Sequence, residues 1–269
     1  MRVSTFGASR YQHTQPFSTQ TLRVATYNIH KGVRGLAGAR RLEIHNLGLA
    51  VESFDADLVF LQEVRLFHHR EARHFDRTWF GWPAEGQAEF LAPEGYAAVY
   101  RTNAVTRHGE HGNALLSRWP VGDVGHRDLS DHRFEQRGLL HVPVVWQGMT
   151  VHAVVVHLGL IHASRVRQVE RLGAFIEEHV PAGAPLLVAG DFNDWGERLD
   201  EPMAAHGLRR ARPGGSGPMQ RTFPSRVPVF ALDRVYLRGF ACATAQVPRG
   251  GAWARMSDHL PLIVELEPD

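Results

Sequence analysis

The feature of this sequence that most constrains its fold is a recurring unit: a short apolar run that ends in a residue able to bind metal or phosphate. Val24-Ala-Thr-Tyr-Asn28, Val59-Phe-Leu-Gln-Glu63, Val154-Val-Val-His157 and Leu187-Val-Ala-Gly-Asp191-Phe-Asn193 all have this form. Ala231-Leu-Asp233 repeats it, and Ser257-Asp258-His259 leads into another apolar run. Runs of this length and content read as buried strands. One such run is an ordinary strand end entering water. Several in one chain describe a sheet protein whose polar strand ends share a rim, where ligand sites gather. The polar residues extend from Asn28 to His259, so one shared site requires one domain over almost the whole chain.

The segments between these runs fill in the architecture. Strands are expected at Leu22–Tyr27, Asp57–Glu63, Tyr96–Tyr100 and Ala114–Leu116. Gly138–Trp146 and Met149–His157, joined by Gln147-Gly148, carry a hairpin signal. Further strands are expected at Pro185–Ala189, Leu232–Leu237 and Leu260–Leu266. A helix is expected from about Ala39 to Phe54. A second runs from Ser164, as its N-cap, to Val180, with Val166, Val169, Leu172 and Ile176 at helical spacing. Residues 68–80 suit a helix, 82–93 read as irregular, Glu197–His206 as a short helix and 211–228 as a long loop. Phe75, Trp79, Phe80 and Trp82 are expected in the core.

Composition removes several classes. Hydrophobic residues make up 43% and charged residues 22%, which excludes a disordered chain and a collagen-like chain. No apolar stretch approaches the ~18 residues of a membrane-spanning helix. The single cysteine, Cys242, forms no internal disulfide and suits a reducing compartment. Residues 1–20 are polar, lack a secretory signal, and are expected to be a flexible extension preceding one domain over 21–269. A cytoplasmic monomer is the expectation. The net charge is only +2. The cations are nearly all arginine, with Lys31 the one lysine.

The ordered set ATYNIH, LVFLQEV, GNALLSR, VVVHLG, VAGDFND, LDRVYL and SDHLPL resembles the endonuclease/exonuclease/phosphatase family. Gly-Asp-Phe-Asn and Ser-Asp-His-Leu-Pro are its most specific pieces. The resemblance implies an α/β fold: a four-layer sandwich of two packed, mostly antiparallel β-sheets flanked by helices. It also implies a divalent-metal phosphoesterase with Mg²⁺, or Mn²⁺, as cofactor. A phosphodiester is anionic, so its hydrolysis needs charge neutralisation, an oriented water and a stabilised leaving oxygen.

The resemblance assigns roles to individual residues. Glu63 is the main metal ligand, with Asp258 and Asn28 beside it. Asp191 orients and deprotonates the attacking water, and Asn193 holds a phosphoryl oxygen. His259 contacts the phosphate or the water and is oriented by Asp233. His157 serves the leaving group as a general acid. Arg137, Asn113, Arg221 and Arg226 are candidate substrate contacts. One departure stands out: where the repair-endonuclease branch has an acidic residue two positions after the first Asn, this chain has His30. A phosphodiester is the expected substrate, with nucleic acid the leading candidate. A phospholipid or a small phosphorylated metabolite is the alternative within the class. A binding module on a nuclease scaffold is the alternative outside it.

Overall fold

A computed structural model describes residues 21–35, 40–76 and 80–269. The expected extension over 1–20, the start of the first helix at Ala39, and Trp79 lie outside the described residues; within them that helix begins only at Ile44, and Arg41–Leu42, expected to be helical, pair as a strand instead. Strands and helices are numbered in chain order. In spatial order, the first sheet consists of β13 (Phe240–Gln246), β14 (Leu262–Pro268), β1 (Leu22–Asn28), β4 (Leu58–His68), β6 (Gly109–Ser117) and β5 (Ala97–Thr106). The second consists of β11 (Arg209–Arg210), β12 (Asp233–Arg238), β10 (Leu186–Asp191), β9 (Met149–His157), β8 (Gly138–Trp146) and β7 (Gly125–Asp128). A small ribbon pairs β2 (Val33–Arg34) with β3 (Arg41–Leu42).

Pairing is antiparallel except for β1 with β4 and β9 with β10. Those two parallel pairs need a crossover, because a tight turn cannot join parallel neighbours. Each crossover carries a helix: α1 (Ile44–Ser53) after β1, and α4 (His162–His179) after β9. Shorter helices are α2 (His69–Phe75), α3 (Gln87–Leu91), α5 (Asp200–Ala204) and α6 (Trp253–Met256).

Strand alternation sorts the apolar residues into three cores. Leu22 and Val24 of β1, Phe60 of β4, Val155 of β9, Ala189 of β10 and Val235 of β12 pack between the sheets. Ala25, Tyr27, Val59 and Leu61 turn the other way, against α1 and α6. Val154, Val156, Val188 and Tyr236 pack against α4 and α5. The layers are therefore helix, sheet, sheet, helix, as expected. Residues 28, 157, 191 and 233 continue the inter-sheet parity of their strands. The site is the polar end of the central core.

Several expectations need correction. The helix after β9 begins at His162, not at Ser164, whose buried hydroxyl instead donates to Asp131 Oδ2 at 2.7 Å. β4 runs on to His68, and α2 fills only part of the expected 68–80 helix. Gln87–Leu91 is helical where an irregular segment was expected. The last strand begins at Leu262, and β7 and β13 were not anticipated. Phe75 is buried, but Phe80 is 65% exposed. Trp82 is half-buried with the Arg65 guanidinium 5.8 Å over its ring. Among the described residues no helix is long and apolar enough to cross a membrane.

Gly190 explains the glycine of Gly-Asp-Phe-Asn. Its φ is +152°, and a Cβ there would lie 1.8 Å from the Val156 carbonyl oxygen of β9. Both clashing groups are backbone, so neither can rotate away. Gly190→Ala should therefore destabilise the fold by about 3 kcal/mol or more. Urea unfolding checks this, and an unchanged midpoint would contradict it.

Candidate active site

The second sheet sets three site residues in a row. Its register pairs His157 with Asp191 and Asp191 with Asp233 across β9, β10 and β12. The first sheet contributes Asn28, opposite Gln62 in the β1–β4 register. The two sheets meet where Asn28 Nδ2 donates to Asp191 Oδ2 at 3.1 Å. The backbone N–H of Asn193 donates to the other oxygen, Oδ1, at 2.9 Å. His157 Nε2 and His259 Nε2 each stand 3.6 Å from Asp191 Oδ2, beyond direct hydrogen-bond length. Asp191 is thus the convergence point of four residues, Asn28, Asn193, His157 and His259, brought in by both sheets and their loops.

His259 lies on the turn into β14. Its Nδ1 is 2.8 Å from Asp233 Oδ2. A carboxylate only accepts, so Nδ1 carries the proton and Nε2 faces Asp191. Thr222 Oγ1 donates to the same Asp233 oxygen at 2.5 Å, which fixes the carboxylate. Phe223 leans over the His259 ring at 4.8 Å between centroids. Burial opposes the charge on His259, but Asp233 and Asp191 overcome it and raise the imidazole well above its usual range. Asp191 is raised too, chiefly by burial, with Asp233 adding to the shift and His259 opposing it. One imidazolium serves two carboxylates, and the nearer, Asp233, takes most of it. Burial and the Arg137 charge push His157 well below its ordinary value, so it is neutral at pH 7.

A second cluster lies beside the first. Glu63 sits in a bulge where the β4–β6 register shifts between Leu61 and Val64, with a left-handed φ of +58°. Regular alternation would turn it to the helix side; the bulge re-aims it. Lys31 Nζ lies 2.9 Å from Glu63 Oε2. Burial opposes ionisation of Glu63, but Lys31, His157 and His30 hold it well below the carboxylate range. Asp258 lies 3.2 Å from His30 Nδ1, and that contact, against burial, lowers it to about 2. His30, Lys31 and Asn193 also have positive φ, at 45°, 63° and 48°. Such strain in non-glycine residues gathers where function over-determines the backbone.

Glu63 and Asp258 suit a hard divalent cation. Both are ionised oxygen donors reached by one imidazole, at 4.0 Å and 3.2 Å. Glu63 Oε2 is buried, and the Lys31 ammonium at 2.9 Å already gives it a cationic partner, so the oxygen is presented in its charged form. Asn28 adjoins them, although its Oδ1 already accepts from the His30 N–H at 3.0 Å. Asp191, Asp233 and His259 also converge closely enough to hold an ion. There, however, Asp233 and His259 spend their facing atoms on each other.

The remaining expected residues lie at varying distances from this centre. Arg137 Nε donates to the Leu158 carbonyl at 3.1 Å, and its Nη2 contacts Glu135 at 3.3 Å, beside the strand end of His157. Asn193 Nδ2 donates to the same carbonyl at 2.9 Å. Asn113 is fully buried, and its amide bridges Gly138 O at 2.9 Å and Val155 O at 3.2 Å. It braces the sheets instead of opening onto the surface. Arg221 and Arg226 are exposed on the loop carrying Thr222.

Four contributors were given no role in the site from the sequence: His30, noted only as a departure from the family pattern, Lys31, noted only as the one lysine, Thr222 and Arg234. Arg234 is fully buried; Nη1 donates to Asp194 Oδ2 at 2.9 Å and Nη2 to Asp194 O at 3.0 Å, anchoring the loop after Asp191. Nothing in the local pattern separates these residues from surface polar residues. The isolation of Lys31 as the one lysine was the available clue for that position.

Because folding raises His259, its contribution to stability is complete below the free imidazole value of about 6.5 and fades as pH rises through the folded value. NMR titration should find its ring protonated at pH 7. Asp233→Asn should move that titration downward by at least about one unit. A His259 titration near 6.5 in the wild type would contradict the assignment.

The model of the Endonuclease/Exonuclease/phosphatase family matches residues 25–259. The Escherichia coli K12 protein YbhP is 38% identical over 257 residues, covering 94% of this chain and 98% of its own. The human nocturnin catalytic domain with bound sulfate shares the fold at a TM-score of 0.67 and 20% identity, over 93% of this chain and 95% of that one. A mannosyl-6-phosphatase from Bacteroides thetaiotaomicron does so at 0.65 and 19%, over 91% and 99%. With a family model spanning the chain from β1 to His259, the protein belongs to the endonuclease/exonuclease/phosphatase family.

Proposed function

We propose that this site hydrolyses a phosphodiester with the help of a divalent cation, Mg²⁺ ahead of Mn²⁺, held by Glu63 and Asp258 with Asn28 adjoining. The observation that carries the reading is the convergence of Asn28, Asn193, His157 and His259 on the two oxygens of one buried carboxylate, Asp191. Membership in the endonuclease/exonuclease/phosphatase family supports the coarser reading of phosphoester hydrolysis.

Each role follows from the atoms present. Asp191 accepts the proton of the attacking water. Its raised basicity suits that task, since a general base works best with a pKa near the working pH. Asn28 and the Asn193 N–H hold the carboxylate in place. His259, kept charged by Asp233, faces the phosphoryl group and offsets its developing charge. His157 is neutral, so it acts as a hydrogen-bond donor to a phosphoryl oxygen. The general-acid role first expected of it would need the bound anion to raise its pKa. The cation, when bound, supplies Lewis-acid polarisation of the phosphate oxygens.

Nucleic acid, the substrate first expected, would present the same diester to these atoms.

Asp191→Ala should lower kcat on bis-p-nitrophenyl phosphate by a factor on the order of 10³ or more while leaving the thermal midpoint near that of the wild type. Activity within a few-fold of wild type would refute the role. His157→Ala should reduce kcat/KM by similar factors on diesters with good and poor leaving groups. A markedly larger loss with poor leaving groups would restore the general-acid assignment.

A further inference from the structure

The loops that carry the catalytic residues also carry much of the exposed apolar surface. Phe134 is 82% exposed, and Leu160 and Ile161 are 58% and 56% exposed. Trp195, two residues after Asn193, is 39% exposed. Val227, Val229 and Phe230, between Thr222 and Asp233, are 67%, 47% and 38% exposed. Single exposed apolar residues are ordinary, but a cluster on one functional rim is not.

These loops form a continuous rim. The Leu160 N–H donates to Glu135 Oε1 at 3.0 Å, tying the Phe134 loop to the segment after His157. Asn193 Nδ2 donates to Leu158 O, joining that segment to the Trp195 loop. The Trp195 ring packs edge-on against Phe223 at 5.3 Å and Phe230 at 5.0 Å, joining the last loop.

The charge on the same loops is one-sided. Arg133, Arg198, Arg221 and Arg226 are exposed, against Glu197. The other acids, Asp131, Glu135 and the buried Asp194, are engaged by Arg167, Arg137 and Arg234. The Arg133 guanidinium lies 4.7 Å over the Phe134 ring, so an apolar tip and a cation project together.

We propose that this rim docks onto an anionic phospholipid surface, bringing the headgroup phosphodiester of a membrane lipid to the site. The claim about the substrate rests on the phosphodiesterase reading above; the docking does not. Protruding apolar tips interspersed with arginine suit an anionic interface, where the tips enter the acyl boundary and the cations meet lipid phosphates. Phe134, Trp195 and Phe230 could each stack a base, but a single-stranded nucleic acid gains nothing from the aliphatic Leu160, Ile161, Val227 and Val229 beside them, which offer no π face, whereas an acyl boundary takes up both kinds of side chain.

The test is cosedimentation of the full chain, in EDTA, with vesicles of phosphatidylglycerol and phosphatidylcholine or of phosphatidylcholine alone. The wild type should sediment with the anionic vesicles, and less so with the neutral ones. Replacing Phe134, Leu160 and Ile161 together by serine should lower partitioning by about tenfold or more. Leu49→Ser, an exposed change on α1, should leave binding unaltered. Failure of the wild type to sediment with either vesicle would overturn the proposal. So would a triple variant that binds like the wild type, or an equal loss in Leu49→Ser. Rim-dependent binding of an oligonucleotide, with none to vesicles, would overturn it in favour of nucleic acid. Because the readout is binding, a chain that sediments but cleaves no diester would refute the phosphodiesterase reading and leave docking supported.

Discussion

Everything at this site depends on how a buried carboxylate is made tolerable. Asp191 continues the inter-sheet core of β10, where an isolated charge would be strongly disfavoured. Both oxygens are engaged, one by the Asn193 N–H and the other by Asn28 from the opposite sheet. The imidazolium of His259, fixed by Asp233 and Thr222, supplies the counter-charge. The two sheets can close over these groups only if each partner is present. The packing that stabilises the sandwich therefore also assembles the candidate site. Arg234 does the same from behind, holding the Asp194 loop through a fully buried ion pair.

Much of this was legible in the sequence because strand periodicity is short and strict. A polar residue that keeps the parity of its apolar run points where that run points, so Asn28, His157, Asp191 and Asp233 fell on the inter-sheet side. The crossover helices α1 and α4 were visible for a related reason: their apolar stripes recur over several turns. Gln87–Leu91 is too short for such a stripe to be read. β7 is a four-residue polar edge strand, Gly-His-Arg-Asp, without an apolar face to announce it.

What escaped was whatever breaks the period. Glu63 was named as a ligand through the family resemblance and not through its period: regular alternation along β4 would have faced it to the helices, and only the bulge turns it toward Lys31. His30 and Lys31 occupy a left-handed turn that no propensity marks, because neither residue favours it. Ser164 looked like a cap in sequence, yet its hydroxyl was claimed by Asp131 from a distant loop. Buried Arg234 reads as surface until Asp194 is placed beside it. Local propensity yields in each case to a contact distant in sequence.

In the proposed reading, the convergence on Asp191 and the neighbouring pair Glu63 and Asp258 form one metal-assisted hydrolytic centre. The most direct measurement is turnover of bis-p-nitrophenyl phosphate by the wild-type protein, first stripped with EDTA and then titrated with Mg²⁺. No turnover is expected after chelation, with saturable recovery as Mg²⁺ is restored. Turnover that is indifferent to EDTA, or that fails to appear at any concentration of Mg²⁺ or Mn²⁺, would contradict it.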